Sequence, residues 1–515
     1  MTRDVPAPGG GVNGRLWGAV KVGRRRGSWW ELCSVRCSFE RRWEFTPAGG
    51  HHVRAAVPGT GSEGTRTGRP DHGPIRRCHS GDGTSARRNH RRVALRRHRV
   101  RAARPGTRHR RRCLRGTPPP KSGYTTSAID CPHCSRRAPF HAYREKTVET
   151  LGGPVTCNRA YYYCGACAKG SCPWDGRVGL TAHRLSPAVE RLAALCGAVA
   201  DSFEKGTELL KETAGVVLSE STVQRTTEAT GERIAEHVKK GRTFGGKVAW
   251  DWFRDARGRT VGYIEIDATG VRQQGPNGER AEGRMAYVGM IANPLPDRQR
   301  VFEGLPKPGA SMRARYVSGL YPLAEMGPLL RRQGARVGLD RAEVWVALTD
   351  GGAGLEDFVR ENFPRVEAVI LDFYHASEYL AKLAATLFPT DDVAALAQTK
   401  AWSRVLRDEG GHAMIGVLES WDWPVRKGLP AVRAEVLGYF ENQVHRMDYP
   451  TYEANGWYIG SGAVESACKT VVGQRLKGSG MRWSEDGAHA LCHVRALYRS
   501  EHSQWTDFWR RSTAA

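Results

Sequence analysis

The segment "RTVGYIEIDATGVRQQ" alternates apolar and polar residues, so a strand across it places Ile264 and Ile266 on one face and Glu265 and Asp267 on the other. The chain is then expected to turn at "ATG". "RMAYVGMIANP" and "RARYVSGLY" predict two further strands, and "PLAEMGPLLRRQGARVG" predicts a helix. "AEVWVALTDGGAGLEDFVRENFP" reads as a strand ending on Asp350, a glycine turn and a helix. "VEAVILDFYHASEYLAKLAATLF" reads as a strand that enters a helix at Asp372 and His375. Three strands followed by alternating helices and strands make a mixed α/β sheet. Upstream, over residues 184–242, apolar residues recur every three or four positions in "SPAVERLAALCGAVADS", "FEKGTELLKETAG" and "SESTVQRTTEATGERIAEHV", which predicts helices. Residues 1–118 show neither period.

Charge changes the picture of that leader. Of the formal +26, residues 1–120 contribute 28 Lys and Arg against 7 Asp and Glu, which leaves about +5 for the remainder. The leader is rich in Arg, Gly and Pro and almost lacks Lys, and it is not expected to pack. Two readings compete for it: a disordered basic arm on DNA phosphates, or GC-rich sequence translated from a mistaken start or in the wrong frame. Both cations attract phosphate, so the scarcity of Lys favours the second. No apolar run reaches the roughly 18–20 residues of a membrane helix, and the first residues lack the apolar core of a signal peptide. A cytoplasmic protein with no membrane partner is expected, and thirteen cysteines with two CxxC pairs suit metal binding in a reducing compartment.

Cys131, Cys134, Cys164 and Cys167 form those two pairs within 119–178. Four thiolates complete a closed tetrahedral zinc site with a folding role, and the spacing suggests a hairpin between the pairs. Cys157, Cys172 and His133 are reserve ligands, with Cys157 read as packing. In the helical region, the break at "GVVLS" resembles a helix-turn-helix. Ser219 or Ser221 would cap its second helix and Thr222, Gln224 and Arg225 would lie near base edges. A plain helical hairpin is the competing reading.

A single carboxylate at a strand end is often a turn former or helix cap. Asp267 and Asp350 at two strand ends, joined by Glu465 on the later helix "AVESACKTVVGQRL", could instead hold two Mg²⁺ ions about 3.5–4 Å apart. Gly460, Ser461, Gly462 and Ala463 would let a DNA backbone approach, and Lys469, Arg475, Lys477 and Arg482 offer cations for phosphates. Glu265 shares a face with Asp267 and is read as a neighbour that could substitute as a ligand.

The blocks "CPHC", "YYYCGACAKGSCPWD", "IEIDATGV", "LTDGGAGLEDF", "LDFYHASEYL" and "GSGAVESACKTVVGQRLKGSGMRW" together resemble bacterial insertion-sequence transposases of the ISKra type, within the Mutator-like DDE group, from about Cys131 to the C-terminus. The resemblance implies a zinc ribbon and an RNase H-like domain over 255–385 and 455–500, interrupted by a helical insertion at 386–454, whose Asp, Asp, Glu triad falls on Asp267, Asp350 and Glu465. The group's C/D-x-x-H element falls on Asp372 and His375, with His375 either meeting the scissile phosphate, orienting a water, or capping its helix. It further implies two catalytic Mg²⁺ and one structural Zn²⁺, with a homodimer or higher oligomer acting on transposon ends and target DNA. Water would attack first and the freed 3′-hydroxyl second. The leader departs from the pattern, since ordered helices are expected before the ribbon. Two other readings stay open: a DNA-binding protein with an inert catalytic domain, and a metal-dependent nuclease that cuts without joining.

Overall fold

The computed structural model describes residues 121–180, 184–296, 308–501 and 503–512, and the reading of the leader at 1–118 lies outside them. The first described module is a five-stranded sheet of β1 (Lys121–Ser122), β2 (Ala128–Asp130), β3 (Arg137–Thr150), β4 (Gly153–Cys164) and β5 (Lys169–Ser171). Its strands run in the order β1-β4-β3-β2, with β5 on β4. The antiparallel hairpin β3–β4, paired from Phe140 opposite Tyr162 to Thr150 opposite Gly153, separates the two CxxC pairs. Its core cluster is small: Ala138, Ala160 and Tyr162 beside Cys131 and Cys164. So small a core needs a staple, which gives the cysteines their place in the fold.

A short helix α1 (Pro173–Arg177) is followed by three amphipathic ones, α2 (Pro187–Val199), α3 (Phe203–Ala214) and α4 (Glu220–Lys239). Each of these three begins at a serine whose hydroxyl accepts an early backbone N–H: Ser186 from Val189, Ser202 from Lys205 and Ser219 from Thr222. Gly215 ends α3 in the left-handed region at φ 65°. The second helix of the α3–turn–α4 unit is 20 residues long. Farther along, Gly231 lies so close to the Ala490 backbone that a Cβ would come within 2.2 Å, which seats that part of the helix on the last third of the chain.

The central sheet is mixed, in a mixed α/β fold. It holds β6 (Phe253–Arg254), β7 (Thr260–Val271), β8 (Arg284–Pro296), β9 (Pro308–Gly319), β10 (Val344–Thr349) and β11 (Val366–Leu371), in the order β11-β10-β7-β8-β9 with β6 on β7. β7, β8 and β9 are antiparallel, whereas β10 and β11 continue in parallel beside β7. Helices α5 (Leu323–Val337) and α6 (Leu355–Asn362) cover one face, burying Ile264 and Ile266 with Leu330 and Phe358. Val261, Tyr263, Val346 and Leu348 enter the other core. Burial on both faces explains the near-continuous apolar runs of β10 and β11. The turn expected at "ATG" is absent: β7 runs on to Val271, because β8 keeps pairing with it as far as Arg284 while its parallel neighbour stops.

Asp372 caps α7 (Phe373–Leu387), and α8 (Asp392–Ser420), α9 (Leu429–Gln443) and α10 (Tyr449–Ala454) follow. The chain returns over the sheet as α11 (Gly462–Ala467), a π-helical stretch Cys468–Gly473 and one further turn Gln474–Leu476. Helices α12 (Glu485–Arg499) and α13 (Ser503–Ser512) close the chain. Among the described residues, no helix is long and apolar enough to cross a membrane.

Candidate functional site

Two tight turns bring the cysteines together. The first follows β2, where Ser135 donates its N–H to the Cys131 carbonyl at 2.9 Å and takes φ 60°. The second joins β4 to β5 and is closed by Ala168 at φ 54°. Cys131 Sγ lies 3.6 Å from Cys167 Sγ, Cys134 Sγ lies 3.6 Å from Cys164 Sγ, and all four sulfurs fall within 4.8 Å of one another. A tetrahedron with Zn–S near 2.3 Å needs edges of about 3.8 Å, whereas a disulfide needs about 2.05 Å. The quartet can therefore hold a metal ion such as zinc. The Cys164 thiol is lowered to about 7, chiefly by the Cys167 backbone N–H, while burial and the neighbouring thiols push Cys167 to about 12. The reserve ligands stay apart from the quartet: Cys157 donates to the Lys146 carbonyl, Cys172 stands before α1, and His133 contributes only a backbone N–H toward Cys131 Sγ.

The acids assemble differently. Parallel pairing sets Leu348 beside Glu265, so two positions farther along Asp350 comes level with Asp267 on the neighbouring strand. Side chains level with one another share a face, here that of Tyr263 and Leu348. Val464, Ala467 and Cys468 of the returning segment belong to the same buried cluster and carry Glu465 over that face. Cys468 hydrogen-bonds Asp267, and its thiol is pushed up by burial and by that carboxylate, with a smaller contribution from Glu465. The Glu465 carboxylate meets Lys469 Nζ at 2.8 Å. Among the described residues only the cysteine quartet brings three or more ligand atoms within 4.8 Å of one another, so the three acids share a face without converging on one point.

Several side chains hold this arm. Glu265, 1% exposed, accepts the Val464 N–H at 3.1 Å and so supplies the cap that Ser461 does not. Burial raises Glu265 to about 8. Ser461 instead donates to Asp372 Oδ2 at 2.5 Å, while Asp372 Oδ1 accepts the Tyr374 N–H at 2.8 Å. Gly460 passes so close to Tyr374 that a Cβ would come within 2.6 Å of its ring. His375 Nδ1 lies 3.5 Å from Glu378. Burial lowers the His375 pKa, but Glu378 and the charges of Asp350 and Asp372 outweigh it and hold the ring above its usual value.

The expected DNA contacts divide. Arg225 and Arg482 are exposed. Thr222 shares a 2.8 Å hydrogen bond with Ser219, and Gln224 donates to Glu228 at 3.0 Å. Lys469 is occupied by Glu465, and Lys477 donates to Thr269, two residues beyond Asp267, at 2.8 Å. Arg475 is a correction: it is 1% exposed, lies 4.4 Å from the Phe203 ring centroid and 4.8 Å from that of Trp483, and donates to the Gly197 carbonyl at 3.0 Å. Its guanidinium is a core group that no phosphate reaches, and burial lowers its pKa to about 10. Sequence reasoning also missed Cys468, and Arg446, which reaches from the helical insertion to Thr349 beside Asp350. A Cys three residues after the glutamate was the available signal for the first, whereas nothing local marked Arg446. No protein-family model matches the chain, and no curated protein does either.

Proposed function

We propose that this chain is a DNA transposase of RNase H-like fold that cleaves insertion-sequence ends and joins the freed strand to target DNA. The observation that carries the reading is the level placement of Asp267 and Asp350 on adjacent parallel strands, with the helix of Glu465 returning across the same face. An antiparallel three-strand meander extended by two parallel strands supports the fold assignment. Asp267, Asp350 and Glu465 would hold two Mg²⁺, a hard cation that calls for carboxylate oxygen donors. Bound there, the ions supply charge stabilisation to the attacking and leaving oxygens of an in-line displacement.

The remaining work falls to the chain's own side chains. His375, held toward its protonated form, donates to a DNA phosphate oxygen. Lys477 and Arg482 position the backbone. Arg225, with Thr222 and Gln224, reads the end sequence from the start of α4. The cysteine quartet holds zinc in a folding role.

The test is a cleavage and joining assay with the full-length protein, Mg²⁺ and duplex DNA carrying the junctions that flank its gene. Nicking at the junction followed by joining of the 3′ end to a second duplex is expected. Nicking without joining identifies a nuclease, and binding with neither identifies a DNA-binding protein.

A further inference from the structure

The arm that carries Glu465 leaves α-helical geometry three residues after it, at Cys468–Gly473. A π-helical turn is uncommon and shifts the helix phase, so something must hold it. Arg495 on α12 is 2% exposed and has no acidic partner among the described salt bridges; its hydrogen bonds go to backbone carbonyls. Its Nε donates to Val471 at 2.7 Å and its Nη2 to Thr470, both within the π turn. Its Nη1 donates to Ala198, in the last turn of α2. Burial, with the charges of Arg499 and Arg475, lowers its pKa to about 10. A buried cation without a counter-ion is costly, and only the planar guanidinium fork reaches three carbonyls at once.

The same turn of α2 receives Arg475 at the neighbouring Gly197 carbonyl. The last carbonyls of a helix lack intrahelical partners and carry partial negative charge, which suits two cations. Gly197 also lies where a Cβ would meet Thr227 at 2.2 Å and Val223 at 3.0 Å, so α2 is seated directly on α4. A continuous path of packed groups thus runs from the start of α4, through α2 and Arg495, to the π turn and Glu465.

We infer that Arg495 is a positioning residue that locks the π turn against α2 and so couples the seating of the helical bundle to the placement of Glu465. In its catalytic consequence the inference rests on the transposase reading. In its structural content it does not.

The experiment uses the full-length protein and the variants Arg495→Gln and Arg495→Lys. Lysine keeps the charge but cannot span three carbonyls, so it does not rescue. Amide hydrogen exchange across 468–476 is expected to quicken by at least about tenfold in both variants, while exchange in β7 and the zinc content stay as in the parent. Cleavage of the flanking DNA should fall at least about tenfold in kcat with KM unchanged. If Arg495→Gln does not fold, Arg495→Lys carries the test. Unchanged exchange across the π turn in a folded variant overturns the inference, as does full rescue of kcat by lysine. A parent protein that cleaves nothing, combined with quickened exchange in the variants, sinks the transposase reading and leaves the lock standing.

Discussion

The cysteine module and the acidic face of the central sheet are both built from a few side chains, yet they are specified at different ranges. Each CxxC pair closes within one turn, and one hairpin joins the two pairs, so four sulfurs converge within 4.8 Å. Among the acids, Asp267 and Asp350 are level only through a parallel register, and Glu465 reaches the same face on a segment that returns after the helical insertion. A site made of local turns tolerates disturbance elsewhere in the chain. A site made by topology inherits every weakness of the packing behind it.

The largest separation of the two should come from metal removal. Structural zinc contributes about 10–16 kcal/mol in small thiolate modules, so a chelator, or Cys164→Ser, should unfold the β3–β4 hairpin. Metal analysis should find about one zinc per chain before treatment, and circular dichroism should show the central sheet intact afterwards. Loss of both regions together would erase the distinction.

Next in size is Asp350→Asn, which keeps shape and removes one of the proposed hard ligands. Cleavage should fall about a thousandfold or more, roughly 4 kcal/mol of transition-state stabilisation, with zinc content unchanged. Its effect combined with Asp267→Asn should be far from additive, because the two act as one unit.

What was legible in the sequence follows the same division. The CxxC turns, the serine caps and the alternation at Ile264 and Ile266 are short-range signals, and the structure contains them. That Glu265 and Asp267 share a face was readable from the period of two. That Glu265 caps the helix of Glu465 was not, since the residues stand 199 apart from Val464 to Glu265. Arg475 failed for a related reason: a cation in a basic helix looks the same whether it faces solvent or lies between Phe203 and Trp483. The end of β7 failed because pairing with β8 outweighed the local turn preference of "ATG".

A smaller effect sharpens the point. Arg475→Ala should cost about 2–3 kcal/mol through lost packing and an unpaired Gly197 carbonyl. DNA affinity per folded molecule and its salt dependence should stay unchanged, which a phosphate contact would not allow. Denaturant melts and a salt titration of binding check the two halves.

The smallest effect is in pH dependence. Burial lowers His493 to about 3, and Tyr321 hydroxyl lies 2.7 Å from its Nε2. Between about 3 and 6.5 the unfolded chain holds a proton that the folded chain refuses, so stability falls as pH drops through that window, by at most about 1.4 kcal/mol per unit. His493→Gln should flatten this slope in denaturant melts at pH 5 and 7.

The central claim, the proposal that Glu465 completes a metal site with Asp267 and Asp350, is tested most directly by Glu465→Gln in the full-length protein. The substitution keeps volume and hydrogen bonding and removes the charge a hard cation requires. Mg²⁺-dependent strand cleavage should fall about a thousandfold or more while affinity for the same DNA stays within about twofold. Near-normal cleavage by this variant, with at most about 1 kcal/mol lost in stability, would make Glu465 a helix-terminal residue and contradict the assignment.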